Sequence, residues 1–188
     1  MKKLALLIML ALGWATGDST AEAQGERFIG AENVSIAAAL GGALPINSDW
    51  FQSEFKEGWT YAARVQYRMH PGFALYGDYA SVEFDPETAV GTGAVQVSSA
   101  AVGLIFYGRA NLTGSVLAFL DMGAASNTMQ DADTEWKFRP GGGFDIAVSP
   151  QFAVCPSLYV NRYAGSPDYI DGLEFKLWFR LTPFATIL

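Results

Sequence analysis

A two-residue period dominates this chain and leaves few folds open to it. In residues 58–70, Trp59, Tyr61, Ala63, Val65, Tyr67 and Met69 fall on one side; Thr60, Ala62, Arg64, Gln66 and Arg68 fall on the other. Residues 173–182 set Leu173, Phe175, Leu177, Phe179 and Leu181 against Glu174, Lys176, Trp178 and Arg180. Residues 136–148 set Phe138, Phe144, Ile146 and Val148 against Lys137, Arg139 and Asp145. Side chains alternate between the two faces of a strand, so these are β-strands with one apolar face and one mixed face.

Turn residues divide the chain into eight such strands, near 33–46, 58–69, 73–84, 94–108, 111–125, 136–148, 152–163 and 172–182. Three connectors are tight: His70-Pro71-Gly72, Arg109-Ala110 and Ser149-Pro150-Gln151. The others, around 47–57, 85–93, 126–135 and 164–171, are longer and rich in Asp, Glu, Ser and Gly. Alternation of short turns with longer loops, on an even strand count, is the pattern of a closed antiparallel transmembrane barrel. Its short turns would face the periplasm and its longer loops the exterior. The tight turns also set registers. They place Met69 opposite Phe73, Arg64 opposite Asp78, Arg139 opposite Asn161 and Gly141 opposite Tyr159. The fourth and fifth strands are less regular: Val102, Leu104, Phe106, Leu117 and Phe119 would point inward there, the mark of a bulge or a register error.

Alternation does not say which face is outside. A lipocalin-like soluble barrel buries its apolar face, and a membrane barrel shows it to lipid. Charged residues make up only 16% of the chain, below the roughly one quarter usual for soluble domains, so either much of the chain is buried or part of its exterior faces something other than water. The apolar face, large and uncharged over about ten positions, favours lipid. The mixed face also carries Ala62, Ala74, Ala80, Gly141, Gly143, Ala147 and Ala153, small residues that suit the narrow bore of eight strands. Trp59, Tyr61, Phe73, Tyr107, Trp136 and Phe138 sit near strand ends, where interfacial aromatics gather.

The N-terminus carries an export address. Lys2 and Lys3 precede an apolar run over residues 4–14, too short to span a bilayer, and Ala21-Glu22-Ala23 has the small-x-small form of a cleavage site. The expectation is a cleaved signal peptide over 1–23 and a single barrel domain over 24–188. The formal charge of −7 argues against nucleic acid as a partner. A single cysteine, Cys155, excludes an intrachain disulfide and a cysteine zinc cluster.

The signal sequence, the eight strands and the strand starts Pro71-Gly72-Phe73-Ala74-Leu75 and Pro150-Gln151-Phe152-Ala153-Val154 together resemble the small bacterial outer-membrane β-barrel family. That family includes outer-membrane protein X, the barrel domain of outer-membrane protein A and the neisserial opacity proteins. The resemblance implies an outer-membrane location, contact with lipid and lipopolysaccharide, and handling by the barrel-assembly machinery. The chain departs from the family pattern at its end. It runs on through Pro183-Phe184-Ala185-Thr186-Ile187 to Leu188, where members close on an aromatic residue.

The constellation that carries most information is a set of charges on the inward face. Arg64, Arg68, Lys137, Arg139, Lys176 and Arg180 share it with Asp78, Asp121, Asp145 and Glu174. Charges in a narrow lumen must be paired or hydrated, so they are expected to form a network that fills the bore. The alternative is a small channel gated by the same pairs. Outer-membrane enzymes that act on lipid A use a histidine with serine or acidic residues near the outer leaflet. Here the single histidine, His70, falls in a periplasmic turn and no His-x-Ser pair exists, so no enzyme is expected. Asp131-Ala132-Asp133-Thr134-Glu135 lacks the glycine and ligand spacing of a calcium loop, and no cofactor is implied. The acidic loops (Asp49, Glu54, Glu57, Asp85, Glu87, Asp168, Asp171) form a charged rim that could bridge divalent cations to lipopolysaccharide phosphates. The expected role is non-enzymatic, structural or surface-interacting, with a soluble ligand-binding barrel the remote alternative. The sequence names no extracellular partner.

Overall fold

The computed structural model describes residues 33–46, 55–86, 94–110, 116–129, 135–163 and 170–183. The signal segment, the Asp131 and Asp133 pair, Asp49, Glu54, Glu87, Asp168 and the last five residues lie outside them. Eight strands follow one another: β1 (Val34–Pro45), β2 (Phe55–His70), β3 (Phe73–Pro86), β4 (Val95–Arg109), β5 (Val116–Met129), β6 (Glu135–Ala147), β7 (Phe152–Tyr163) and β8 (Ile170–Leu181). Each pairs antiparallel with its sequence neighbours, and β8 returns to β1 to close a barrel. Closure gives every strand two partners and leaves no open edge.

Adjacent residues on one strand separate inside from outside. Arg64 is 5% exposed and Val65 56%; Arg139 is 0% exposed and Phe138 51%; Lys176 is 1% exposed and Phe175 51%. Large apolar side chains are exposed on every strand but β5, and the charges at the centre of the barrel face in. This inversion excludes the lipocalin-like arrangement, in which the apolar stripe would line a ligand cavity. The wall is built for contact with an apolar medium.

The expected registers are present between β2 and β3 and between β6 and β7, where Arg64 pairs with Asp78 and Gly141 with Tyr159. One turn differs in detail. His70, not Met69, stands opposite Phe73, and a register shift between Arg68 and His70 absorbs the extra residue. The β2–β3 loop is thus Pro71-Gly72, closed by His70 Nδ1, which accepts the Gly72 N–H at 3.1 Å. The His70 and Phe73 rings stack across the turn with centroids 5.8 Å apart.

The β4–β5 connection overturns a larger part of the expectation. Ala110 N–H donates to the Val116 carbonyl at 3.0 Å and Arg109 pairs with Leu117, so residues 110–115 separate the strands instead of a two-residue turn. The fifth strand starts later and continues through residues assigned to a loop, as far as Met129. The longer connection resets the parity of β4. Val102 and Leu104 face outward, while Ala101, Ile105 and Tyr107 are buried inside. Leu117 and Phe119 do pack inward, against the cluster formed by Ala74, Tyr76, Ala101, Ile105, Tyr107 and Ala125. Tyr107 is therefore a lumen residue and not part of an interfacial girdle. Trp59, Tyr61, Trp136 and Phe138 are exposed on the outer wall.

Glycines make room inside for large rings. Gly103 pairs with Gly123, and a Cβ at Gly123 would overlap the Tyr76 hydroxyl. A Cβ at Gly141 would overlap the Tyr159 ring, whereas one at Gly42 would meet only the Gly58 carbonyl oxygen, at 3.7 Å. Gly141→Ala is expected to lower unfolding stability by about 1–3 kcal/mol through overpacking. Gly42→Ala should change it far less. Urea titration of the two variants folded in detergent measures the difference.

Candidate functional site

The lumen is where the described strands bring most of their buried charged side chains together, and it is layered; an exposed pair, Arg162 with Asp171, joins β7 and β8 near the loop end. At its centre, cross-strand pairing sets Arg64 of β2 beside Asp78 of β3. Arg64 Nη2 donates to Asp78 Oδ2 at 2.7 Å, to Asp121 Oδ2 at 3.0 Å and to the Tyr159 hydroxyl at 3.3 Å. Arg139 of β6 reaches across the bore and donates from Nη2 to the same Asp78 oxygen at 2.8 Å and to the Tyr76 hydroxyl at 3.2 Å. Tyr76 donates in turn to Asp121 Oδ1 at 2.6 Å. Two guanidinium groups and two carboxylates thus form one neutral cluster joining β2, β3, β5 and β6.

Aromatic faces complete the shell. The Arg64 guanidinium lies 4.0 Å from the Tyr76 ring centroid and 4.4 Å from that of Trp178, and Arg139 lies 5.1 Å from that of Tyr159. A ring face attracts a cation through its quadrupole without needing a compensating charge. Delocalised, weakly hydrated guanidinium groups are the cations best suited to this burial.

Toward the loop end, Lys176 and Glu174 of β8 form a buried pair at 2.5 Å. Glu174 Oε1 accepts from Asn161 Nδ2 at 2.9 Å, and Asn127 Nδ2 donates to Asn161 Oδ1 at 3.2 Å. Beyond them Ala43, Val82, Phe84 and Val97 form a fully buried apolar cluster. Toward the turn end, Asp145 lies 2.9 Å from Arg180 and 3.8 Å from Arg68. Arg68 stacks 4.5 Å from the Tyr107 centroid, and Gln66 Nε2 donates to the Tyr107 hydroxyl at 2.7 Å. Between this layer and the centre the free volume is about 20 Å³, room for about one water molecule.

Nine of the ten charged residues singled out in the sequence thus fall into three groups: Arg64, Asp78, Asp121 and Arg139; Glu174 and Lys176; Arg68, Asp145 and Arg180. Lys137 lies half-buried on β6 opposite Ala125. Sequence reasoning placed Gln66 on the inward face and missed Tyr76, Tyr107 and Asn127 as members of the assembly. Tyr76 could have been found, since it lies two residues from both Ala74 and Asp78 and so shares their face. Tyr107 could not, because its parity depends on the β4–β5 connection. Cys155 is buried against Trp178 in an alanine-lined part of the bore. Among the described residues no group of His, Cys, Asp and Glu is arranged to hold a metal ion.

No family model and no curated protein sequence matches this chain. Solved structures do. Neisserial surface protein A superposes with a TM-score of 0.60 at 15% identity, over 80% of this chain and 97% of that one. The outer membrane protein OprG from Pseudomonas aeruginosa superposes with a TM-score of 0.56 at 10% identity, over 79% of this chain and 95% of that one. At such identities the likeness establishes the fold: the chain has the eight-stranded barrel architecture found in outer-membrane proteins.

Because Asp78 serves two guanidinium groups, Asp78→Asn strips charge from both at once. Removing one member of a buried ion network costs about 3–5 kcal/mol. Arg68→Gln, at a half-exposed position held by a 3.8 Å contact, is expected to cost well under that. Unfolding curves of the two variants in urea test the ranking.

Proposed function

We propose that this chain is a non-enzymatic, integral outer-membrane barrel whose role is structural or surface-interacting, with a lumen closed by ion pairs. The observation that carries this reading is the inverted wall: large apolar residues exposed on seven of the eight strands, and a bore filled by paired charges and aromatic rings. Strands of 12 to 16 residues exceed the roughly 9–11 that a tilted β-strand needs to cross the hydrocarbon core. The architecture shared with neisserial surface protein A and OprG supports the same location. In this reading the turn end faces the periplasm, the acidic loop end faces outward, and residues 1–23 are removed on export.

The chemistry of the described residues supports a role without catalysis. His70 is committed to the β2–β3 turn through Gly72, and the buried carboxylates are engaged by guanidinium, amide or ammonium groups. A channel would need the central cluster to open, which means breaking contacts of 2.7–3.0 Å that join four strands.

Two measurements test the proposal. Isolated outer membranes run on SDS gels should show a mobility change on boiling, and planar bilayers should show no discrete channel events. A protein recovered from the soluble periplasmic fraction would overturn the membrane placement, and reproducible unitary currents would overturn the closed lumen. Val65→Arg, which puts a charge on the outer wall, should weaken insertion by about 2–4 kcal/mol if Val65 lies near the bilayer midplane. Folding titrations into lipid vesicles read that loss.

A further inference from the structure

The three charge groups of the lumen are not balanced alike. The central cluster has two cations and two anions, and the loop-end pair has one of each. The turn-end group has two guanidinium groups, Arg68 and Arg180, for the single carboxylate of Asp145. These three residues line a cavity of about 350 Å³ that opens at the turn end. Asp145 is the one acidic residue among the described residues lining it, and the remaining polar groups include Ser35, Gln66 and Gln151. Among the described residues, Arg68 Nε and Nη2 and Arg180 Nε have no hydrogen-bond acceptor, and Asp145 Oδ2 has no hydrogen-bond donor. The exposed Arg109 adds a further positive charge at this end of the barrel, at the close of β4.

We propose that this turn-end cavity is a binding site for a small oxyanion, a carboxylate or a phosphate, held between Arg68 and Arg180. The chemistry follows from three properties found together. Among the described residues, two guanidinium groups share one carboxylate here, and a partly desolvated charge is costly unless a counter-charge meets it. Its unpartnered donors are guanidinium N–H groups, whose planar fork matches the two oxygens of a carboxylate or phosphate. Its volume lies at the lower end of the range for small-molecule sites, so it accepts an anionic head on a small body. Asp145 orients Arg180 through the 2.9 Å contact and also repels an incoming anion, which keeps the site selective for ligands that engage both arginines. The inference concerns the cavity alone and holds whichever compartment the turn end faces.

The test uses the barrel folded in non-ionic detergent, with the arginine Nε–H resonances followed by NMR. Sodium acetate and inorganic phosphate are titrated separately, and acetamide serves as the uncharged control. The expected result is a saturable shift at Arg68 and Arg180 with acetate, phosphate or both, none with acetamide, and none at the enclosed Arg64 and Arg139. Which anion saturates at lower concentration assigns the ligand chemistry. Arg68→Gln should weaken binding by about tenfold, the loss of one charge-assisted hydrogen-bond pair. Asp145→Asn should tighten it, because it removes the competing carboxylate. Shifts that fail to saturate and appear equally at the exposed Arg109 would mean ionic screening only and would overturn the proposal. So would an Asp145→Asn barrel, verified as folded by its gel mobility, that binds no more tightly than the parent.

Discussion

Asp78 accepts two guanidinium groups on one oxygen atom, at 2.7 and 2.8 Å, and the interior is organised around that contact. Its partners come from β2 and β6, on opposite sides of the bore, so one carboxylate ties distant parts of the wall together. An antiparallel barrel made only of neighbouring ladders could flatten or shift in register at modest cost. A charged cluster that spans the lumen resists both, because any displacement leaves a guanidinium or carboxylate buried without its counter-charge. The rings of Tyr76, Tyr159 and Trp178 make the arrangement affordable by giving the cations faces to lie on without adding charge.

Layering follows from the same requirement. Each level of the bore satisfies its own groups: paired charges at the centre, an ammonium–carboxylate pair with two asparagines above it, and apolar residues at the loop end. At the turn end the cavity opens, and two described guanidinium groups share one carboxylate there. The interior is therefore rigid where it is closed and chemically available where it is open.

Much of this was legible in the residues, and the exceptions have identifiable causes. Arg64 opposite Asp78 could be read from the sequence, since a turn containing Pro71 and Gly72 sets the count between them. The bulge near Met69 altered the turn without disturbing that pairing, because it added one residue beside a loop that became one shorter. Tyr107 was misplaced because strand parity accumulates from the nearest turn, and residues 110–115 carry no compact turn signature. Arg139 contacts Asp78 from a strand three positions away around the barrel; such a contact depends on curvature and shear, which no local pattern records.

The amino-acid sequence by itself determined that the chain forms strands with one apolar and one charged face, where most of them turn, and that the charged face could not be left in lipid. These are consequences of side-chain period and of local backbone chemistry, and both are written along the chain. Tertiary structure alone decided which charges meet, which rings cover them, and where two described guanidinium groups share one carboxylate. Those outcomes depend on the diameter and stagger of a closed barrel, quantities that exist only once β8 has paired with β1.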